Sequence, residues 1–304
     1  MTSPTRILYG LPPLDLHARD AAATQTSPLI PGSAALEDIA PDSLDEAVML
    51  APPGVAERRY AVALVLRALK PGGELTVMAA KDKGGSRLKK ELQAFGCDVD
   101  ETARRHHRIC AVTKAEGLTG IDAAIAEGAA RPVKSLSLWS QPGVFSWDRI
   151  DPGTAALLKV LPPLAGAGAD LGCGVGVLAH AVLAAPAVTR LHLIDIDRRA
   201  IDCARQNIDD PRAQFAWADA TLPGALPEDL NFVVMNPPFH EAGWENKGLG
   251  QRFIEAAHRS LKKGGSLWLV ANLHLPYEAV LEPLFLRFER RDAGGGYKVF
   301  EAKK

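Results

Sequence analysis

No apolar run in the sequence approaches the ~20 residues that a membrane-crossing helix needs. The opening MTSPTRILYG lacks the basic stretch followed by an apolar core that marks a secretory signal. Cysteine is scarce. The four present, Cys97, Cys110, Cys173 and Cys203, are scattered without the paired spacing of a zinc site, so they read as reduced thiols and no metal is expected. Net charge is nearly absent too, at −1, so no global basic field announces a nucleic acid; such a partner has to be met by a local patch. These absences lead to the expectation of a cytoplasmic protein with no membrane partner. The length, 304 residues, suggests about two domains.

What the sequence does have is one phrase used twice. Ala47-Val-Met-Leu-Ala-Pro-Pro-Gly54 and Phe232-Val-Val-Met-Asn-Pro-Pro-Phe-His240 are both apolar runs that end in a proline pair. Arg67-Ala-Leu-Lys-Pro-Gly-Gly-Glu-Leu-Thr-Val-Met-Ala79 follows the first, and Arg259-Ser-Leu-Lys-Lys-Gly-Gly-Ser-Leu-Trp-Leu-Val-Ala271 follows the second. Each copy reads as a strand, a helix-length segment, Leu-Lys-x-Gly-Gly and a second strand, with the glycines as the helix stop. The pattern predicts a duplicated strand–helix–strand unit.

The second half alternates regularly. Helices are predicted over 151–161, 176–185 and 198–207, and strands over 168–172, 190–195, 214–218, 231–236 and 266–271. Such alternation implies an α/β fold whose mostly parallel, doubly wound sheet is covered on both faces. Two runs around Gly294-Gly-Gly296 predict a closing antiparallel hairpin. The Ala-rich, Pro-containing stretch from Gly120 to Leu136 reads as a linker, giving domains at 1–120 and 137–304 with a linker at 121–136.

Asp170-Leu-Gly-Cys-Gly-Val-Gly176 falls between a predicted strand and a predicted helix. Glycines let the chain turn sharply and let a ligand approach the backbone, and the helix start beyond them offers free N–H groups. A bare strand–helix turn is one alternative. A dinucleotide site is another, but its Gly-x-Gly-x-x-Gly spacing fails from Gly172, where Val177 stands, and fits only loosely from Gly174 through Gly176 to Ala179. Asp170 would repel a pyrophosphate but meet an ammonium. Asp195 ends the next strand, where a ribose diol would lie, and Asp219 ends the third, where an adenine amine can be accepted. An adenosine with an amino-acid tail and no phosphate, S-adenosylmethionine, fits all three acids. Each acid alone is as well explained as a cap or turn residue; three at successive strand ends point to a ligand.

Asn236-Pro-Pro-Phe239 follows the fourth strand of this half. Proline there forbids helix continuation and ladder pairing, so it fixes a rigid, extended turn. A turn of this kind aims the Asn236 side chain and nearby carbonyls in set directions. Methyl transfer to an exocyclic amine needs such acceptors, because they stabilise the nitrogen as it pyramidalises and gains positive charge. Phe239 offers a flat face for a base. A proline-stiffened loop around a buried phenylalanine is the plainer alternative.

DLGCGVG, LIDID and NPPFH resemble the class I S-adenosylmethionine-dependent methyltransferases. The longer runs NPPFHEAG and VANLHLPYE, with PGVFSWDRIDPGT upstream, are similar to bacterial ribosomal RNA guanine-N2 methyltransferases acting on 16S or 23S rRNA. The match covers roughly residues 137–304. It implies two tandem Rossmann-like methyltransferase domains, the first degenerate, and ribosomal RNA or a ribosomal subunit as partner. It further implies that Gly172, Gly174 and Asp195 hold the cofactor, with Asp170 and Gly176 in the same loop and Asp219 near the adenine. Asn236, Pro237, Pro238 and Phe239 would hold the guanine amine. Phe145 and Ser146 match a family segment beside the cofactor. His240 also matches, as a substrate contact or as a residue that orders the turn. The short first copy and the lack of net basic charge depart from the family.

The first copy has no glycine triplet ahead of AVMLAPPG, and in the motif alignment Ala51 stands at Asn236 and Gly54 at Phe239. It keeps a basic segment, with Lys81, Lys83, Arg87, Lys89, Lys90, Arg104, Arg105, His106, His107 and Arg108, that could track phosphates or form a solvated face among its acids. Rival readings for the whole chain are a methyltransferase acting on an adenine amine or a protein glutamine amide, a nucleotide-dependent oxidoreductase, and a non-catalytic RNA-binding factor.

Overall fold

The computed structural model describes residues 5–18, 20–238, 240–241, 244–245 and 247–304, without the side chains of 240, 241, 244, 245, 247 and 292. It divides into a first unit (1–130 with 141–143) and a second (131–140 with 144–304).

In the first unit the elements run β1 (Arg6–Tyr9), β2 (Thr24–Gln25), β3 (Leu44–Leu50), α1 (Val55–Ala68), β4 (Leu69–Ala80), α2 (Ser86–Gln93), β5 (Asp100–Arg104), β6 (His107–Thr113) and α3 (Ile121–Gly128). They form one sheet in the order β2-β1-β3-β4-β6-β5, parallel through β4 and antiparallel beyond it. Its core lies on one face, where Ile7, Tyr9, Ala47, Met49, Leu75, Val77 and Ala79 pack with Leu64, Leu88 and Leu92 of α1 and α2.

The second unit contains β7 (Arg131–Val133), β8 (Leu138–Ser140), α4 (Pro152–Val160), β9 (Gly166–Leu171), α5 (Val177–Leu183), β10 (Val188–Asp195), α6 (Arg198–Asn207), β11 (Ala213–Trp217) and β12 (Leu230–Met235). After these come β13 (His240–Glu241), β14 (Trp244–Glu245), α7 (Lys247–Ser260), β15 (Leu261–Asn272), α8 (Glu278–Leu281), β16 (Arg287–Asp292) and β17 (Tyr297–Lys303). Seven strands order as β11-β10-β9-β12-β15-β17-β16, parallel as far as β15 and closed by the antiparallel β16–β17 hairpin. Both faces are buried, because successive side chains on a strand point to opposite sides. Val233, Met235, Leu267 and Leu269 face Phe253, Ile254 and Ala257 of α7. Phe232, Val234, Trp268 and Val270 face Leu157 of α4, Leu178 and Val182 of α5 and Ile201 of α6.

The duplication is visible in the strand register. Between Leu44 and Glu46, and again between Leu230 and Phe232, the pairing slips so that partners jump from Leu69 to Glu74 and from Leu261 to Ser266. The slip is made by the two glycines of each Leu-Lys-x-Gly-Gly. A Cβ on Gly73 would lie 3.0 Å from the Lys70 carbonyl oxygen, and one on Gly265 would lie 2.9 Å from the Leu230 carbonyl oxygen. The glycines are therefore bulges inside the strands rather than helix stops; the helices end earlier, at Ala68 and Ser260. The first unit repeats the β9-β12-β15-β17-β16 block and the α7 layer, but among its described residues there is no counterpart of β11 or of the α4–α6 layer.

The segment expected as a linker is not one. Ile121–Gly128 is a helix with Ala124 buried, and Ile121 and Ile125 pack into the same core at helical spacing. A Cβ on Gly128 would meet the Tyr60 Cβ at 2.3 Å and its ring at 2.7 Å, so glycine is what lets α3 sit tightly on α1. Ala and Gly here serve close helix packing, which composition alone does not separate from a flexible tether.

Candidate active site

Asp219, Asp195, the Gly172–Gly176 turn and Asn236 stand at or just beyond the carboxyl ends of β11, β10, β9 and β12, four neighbouring strands. With strands about 4.8 Å apart, these ends make one continuous row. The chain leaves β9 to one side for β10 and returns on the other side as β12, so the row spans the point where the strand order reverses. Ligands of open α/β sheets bind in that crevice.

Gly172, Gly174 and Gly176 have φ of 69°, 53° and 92°, a left-handed run that other residues adopt only under strain. The turn is tied to its neighbour: the Gly174 N–H donates to Asp195 Oδ2 at 2.8 Å, while the Asp197 N–H donates to Asp195 Oδ1 at 2.9 Å. Each oxygen retains a lone pair for a hydroxyl donor. Asp197 is committed elsewhere, capping α6 and holding Arg199 at 2.8 Å. Burial pushes the Asp195 carboxyl up to about 6, partly offset by these backbone N–H groups.

Asp170 lies fully buried beneath the turn, and neither carboxyl oxygen has a hydrogen-bond partner of normal geometry among the described residues. Burial raises its pKa to about 8, the nearby Asp195 adds to this, and the Ala179 N–H offsets part of it. An orphaned buried carboxylate is costly unless a cation meets it. Asp219 accepts from the Thr221 N–H at 2.9 Å and from its hydroxyl at 2.7 Å through one oxygen, which fixes the turn after β11.

Asn236 is anchored by its amide nitrogen, which donates to Asp151 Oδ2 at 2.8 Å and to Thr154 Oγ1 at 3.0 Å. Pro237 is buried and Pro238 exposed. Phe239 and the side chain of His240 lie outside the described residues. Phe145 is 66% exposed, and Ser146, at φ 51°, donates its hydroxyl to the Arg149 carbonyl at 2.8 Å, closing its own loop. Sequence reasoning missed Asp151, Thr154 and Asn207. The Asn207 amide nitrogen donates to the Val175 and Trp139 carbonyls, each at 2.9 Å, bracing the glycine turn against β8. The signal that could have found Asp151 is Asp-Pro-Gly-Thr at a helix start, where its carboxylate accepts from the Thr154 N–H at 3.0 Å.

The first unit shows what the same row looks like without these groups. Register places Leu8 at Asp170, Gly10 at Gly172 and Leu50 at Asn236. This corrects the alignment that set Ala51 at Asn236: the proline pair comes one residue later in the first copy. From Leu50 to the start of α1 is five positions, against eleven from Asn236 to the start of α7, and the extra length in the second copy carries β13 and β14. In the first copy, the Arg58 guanidinium donates to the Pro52 and Pro53 carbonyls at 3.0 and 2.8 Å and forks onto Glu91 at 2.7 Å. The offset that equates Leu69 with Leu261 equates Arg58 with Gly250, and Gly84–Gly85 with Pro276–Tyr277. A Cβ on Gly84 would strike Arg58 at 2.2 Å, and one on Gly250 would strike Tyr277 Oη at 1.8 Å. Large and small residues have changed places between helix and loop.

Residues 135–301 match the family of the methyltransferase small domain. The whole chain is 31% identical to a Ribosomal RNA small subunit methyltransferase C of Pseudomonas aeruginosa (strain LESB58), over 98% of this chain and 94% of that protein. The chain belongs to the ribosomal RNA small subunit methyltransferase C family. A Pseudomonas fluorescens relative of the same name is 32% identical, over 95% of this chain and 87% of its own. Among solved structures, a T. thermophilus 16S rRNA N2 methyltransferase in complex with AdoMet and guanosine has the same fold, with a TM-score of 0.79 at 23% identity over 98% of this chain and 88% of that one. Among the described residues of this family member, no helix is long and apolar enough to cross a membrane, and no group of three or more His, Cys, Asp or Glu is placed to hold a metal ion.

Proposed function

We propose that the protein transfers a methyl group from S-adenosylmethionine to the exocyclic N2 amine of a guanine in small-subunit ribosomal RNA. The observation that carries this is the placement of the Asn236-Pro237-Pro238 turn directly beside the glycine turn, across the point where the strand order reverses. The family's named substrate supports the RNA, and guanosine in the T. thermophilus complex supports the base.

The residues present fit the cofactor. Asp170 would ionise against an ammonium and neutralise it, Asp195 can accept from ribose hydroxyls, and Gly172, Gly174 and Gly176 leave the backbone open between them. Asp219, at the turn after β11, would accept from the adenine amine. When bound, S-adenosylmethionine supplies an electrophilic methyl on a sulfonium. The chain's own part is to make a poor nucleophile attack. The amine lone pair is delocalised into the guanine ring. The Asn236 Oδ1 and a carbonyl of the proline turn accept its two N–H bonds and stabilise positive charge as it develops on nitrogen. No strong base is required, since the proton can leave after the methyl arrives. Phe239 would stack on the base, a contact worth about 1–3 kcal/mol.

The test is tritiated-methyl transfer to small-subunit rRNA and to assembled small subunits, with the product nucleosides identified by mass spectrometry. N2-methylguanosine is expected. Label in N6-methyladenosine or in a protein glutamine would overturn the assignment.

A further inference from the structure

We infer that Asp151 and Thr154 are positioning residues that select which end of the Asn236 amide faces the incoming amine. This rests on the reading of Asn236 as the acceptor for that amine. An asparagine amide is nearly symmetric in shape but opposite in chemistry at its two ends, since oxygen accepts and nitrogen donates. Facing the amine with NH2 would set donors against donors. Among the described residues of the proline turn, no hydrogen bond to the Asn236 amide decides between the two orientations.

Asp151 decides it. A carboxylate only accepts, so the group 2.8 Å from its Oδ2 is the Asn236 NH2, and Oδ1 is turned to the opposite side. The second amide hydrogen goes to Thr154 Oγ1 at 3.0 Å, so both donors are engaged. The same Asp151 oxygen accepts the Thr154 N–H at 3.0 Å, which holds the carboxylate at the start of α4. Gly153 is seated against β17, where its Cβ would lie 3.0 Å from the Tyr297 ring. The helix start therefore reaches Asn236 from a fixed position. Pro152, at the first helical position, pre-sets the backbone there.

Capping and positioning can be separated by substitution. Asp151→Ser keeps a good cap for α4 but is too short to span to Asn236. Thr154→Val keeps the backbone N–H and loses the hydroxyl, and Thr154→Ser restores it. With tritiated-methyl transfer on small-subunit rRNA, we expect Asp151→Ser to lower kcat about 10-fold or more while KM for S-adenosylmethionine and the melting temperature stay close to wild type. Thr154→Val should lower kcat by a smaller factor and Thr154→Ser should recover it. On an Asn236→Ala background, Asp151→Ser should cost nothing further, since it has no amide left to orient. Wild-type kcat in Asp151→Ser, or full additivity with Asn236→Ala, would overturn the inference. Normal turnover in Asn236→Ala alone would instead remove the reading on which it rests, so the two failures are told apart.

Discussion

In the proposed reaction, individual side chains divide the labour between holding the cofactor and easing methyl transfer. Asn236→Ala should leave S-adenosylmethionine affinity nearly unchanged while methyl transfer falls ~100-fold, the loss of one transition-state acceptor; titration calorimetry beside a tritium assay separates the two. Asp195→Ala should weaken cofactor binding by about 1.5–3 kcal/mol. Part of that loss belongs to the glycine turn, whose Gly174 N–H loses its 2.8 Å partner. Asp170 gives a pH dependence. Between about pH 4, where an unfolded Asp titrates, and its folded value of about 8, the folded chain holds a proton that the unfolded chain has released. Stability of the free protein therefore falls as pH rises through that window. The cofactor ammonium favours the ionised carboxylate, so binding near pH 7 should release up to about one proton, and affinity should rise with pH toward 8. Calorimetry in two buffers of different ionisation enthalpy measures the proton, and Asp170→Asn should abolish its release. These acids were legible in the sequence because strand ends and glycines mark them. The Asn236–Asp151 bond was not: it joins residues 85 apart, and Asp151 alone reads as an ordinary helix cap.

Elements carry the record of the duplication, and here the sequence misled in instructive ways. Leu-Lys-x-Gly-Gly marked both copies correctly, yet its glycines bulge strands rather than end helices. Matching the proline pairs put Ala51 at Asn236, whereas hydrogen-bonded register puts Leu50 there, the prolines lying one residue later in the first copy and the turns differing by six positions. Register is a property of pairing between strands, and a linear motif does not contain it. The helix pair α1 and α7 makes a stability prediction. Arg58 is buried and forked onto Glu91, so Arg58→Met should cost about 3–5 kcal/mol by leaving that carboxylate without its partner. Adding Glu91→Leu should recover much of it. Urea denaturation followed by circular dichroism reads both.

For the molecule as a whole, a net charge of −1 conceals an uneven distribution. The basic segment of the first unit gathers where β4 ends and the β5–β6 hairpin turns, since the Lys81 N–H donates to the His106 carbonyl at 2.8 Å. Arg105 and Arg108 are paired with Asp15 and Glu101, at 3.0 and 3.3 Å, so part of the segment is internally neutralised. If the rest tracks phosphates, replacing Lys89, Lys90 and Arg104 by Gln should weaken RNA binding. The log–log salt slope should flatten by about 0.7–0.9 for each phosphate that is no longer neutralised. Filter binding over a salt series gives the slope; an unchanged slope would make the segment a solvated face.

The exchange of large and small residues between Arg58 with Gly84 and Gly250 with Tyr277 has a consequence for how the two halves can evolve. Tandem copies ordinarily recombine where they are most alike, which here is Leu-Lys-x-Gly-Gly. That stretch lies between the helix bearing Arg58 or Gly250 and the loop bearing Gly84–Gly85 or Pro276–Tyr277. A crossover there would join helix and loop from different copies, bringing two bulky groups into one volume or leaving it empty. Either product is disfavoured by packing. The half that lacks the Asp170–Gly176 turn is thus shielded from being overwritten by the half that has it, and the latter from being erased by its neighbour.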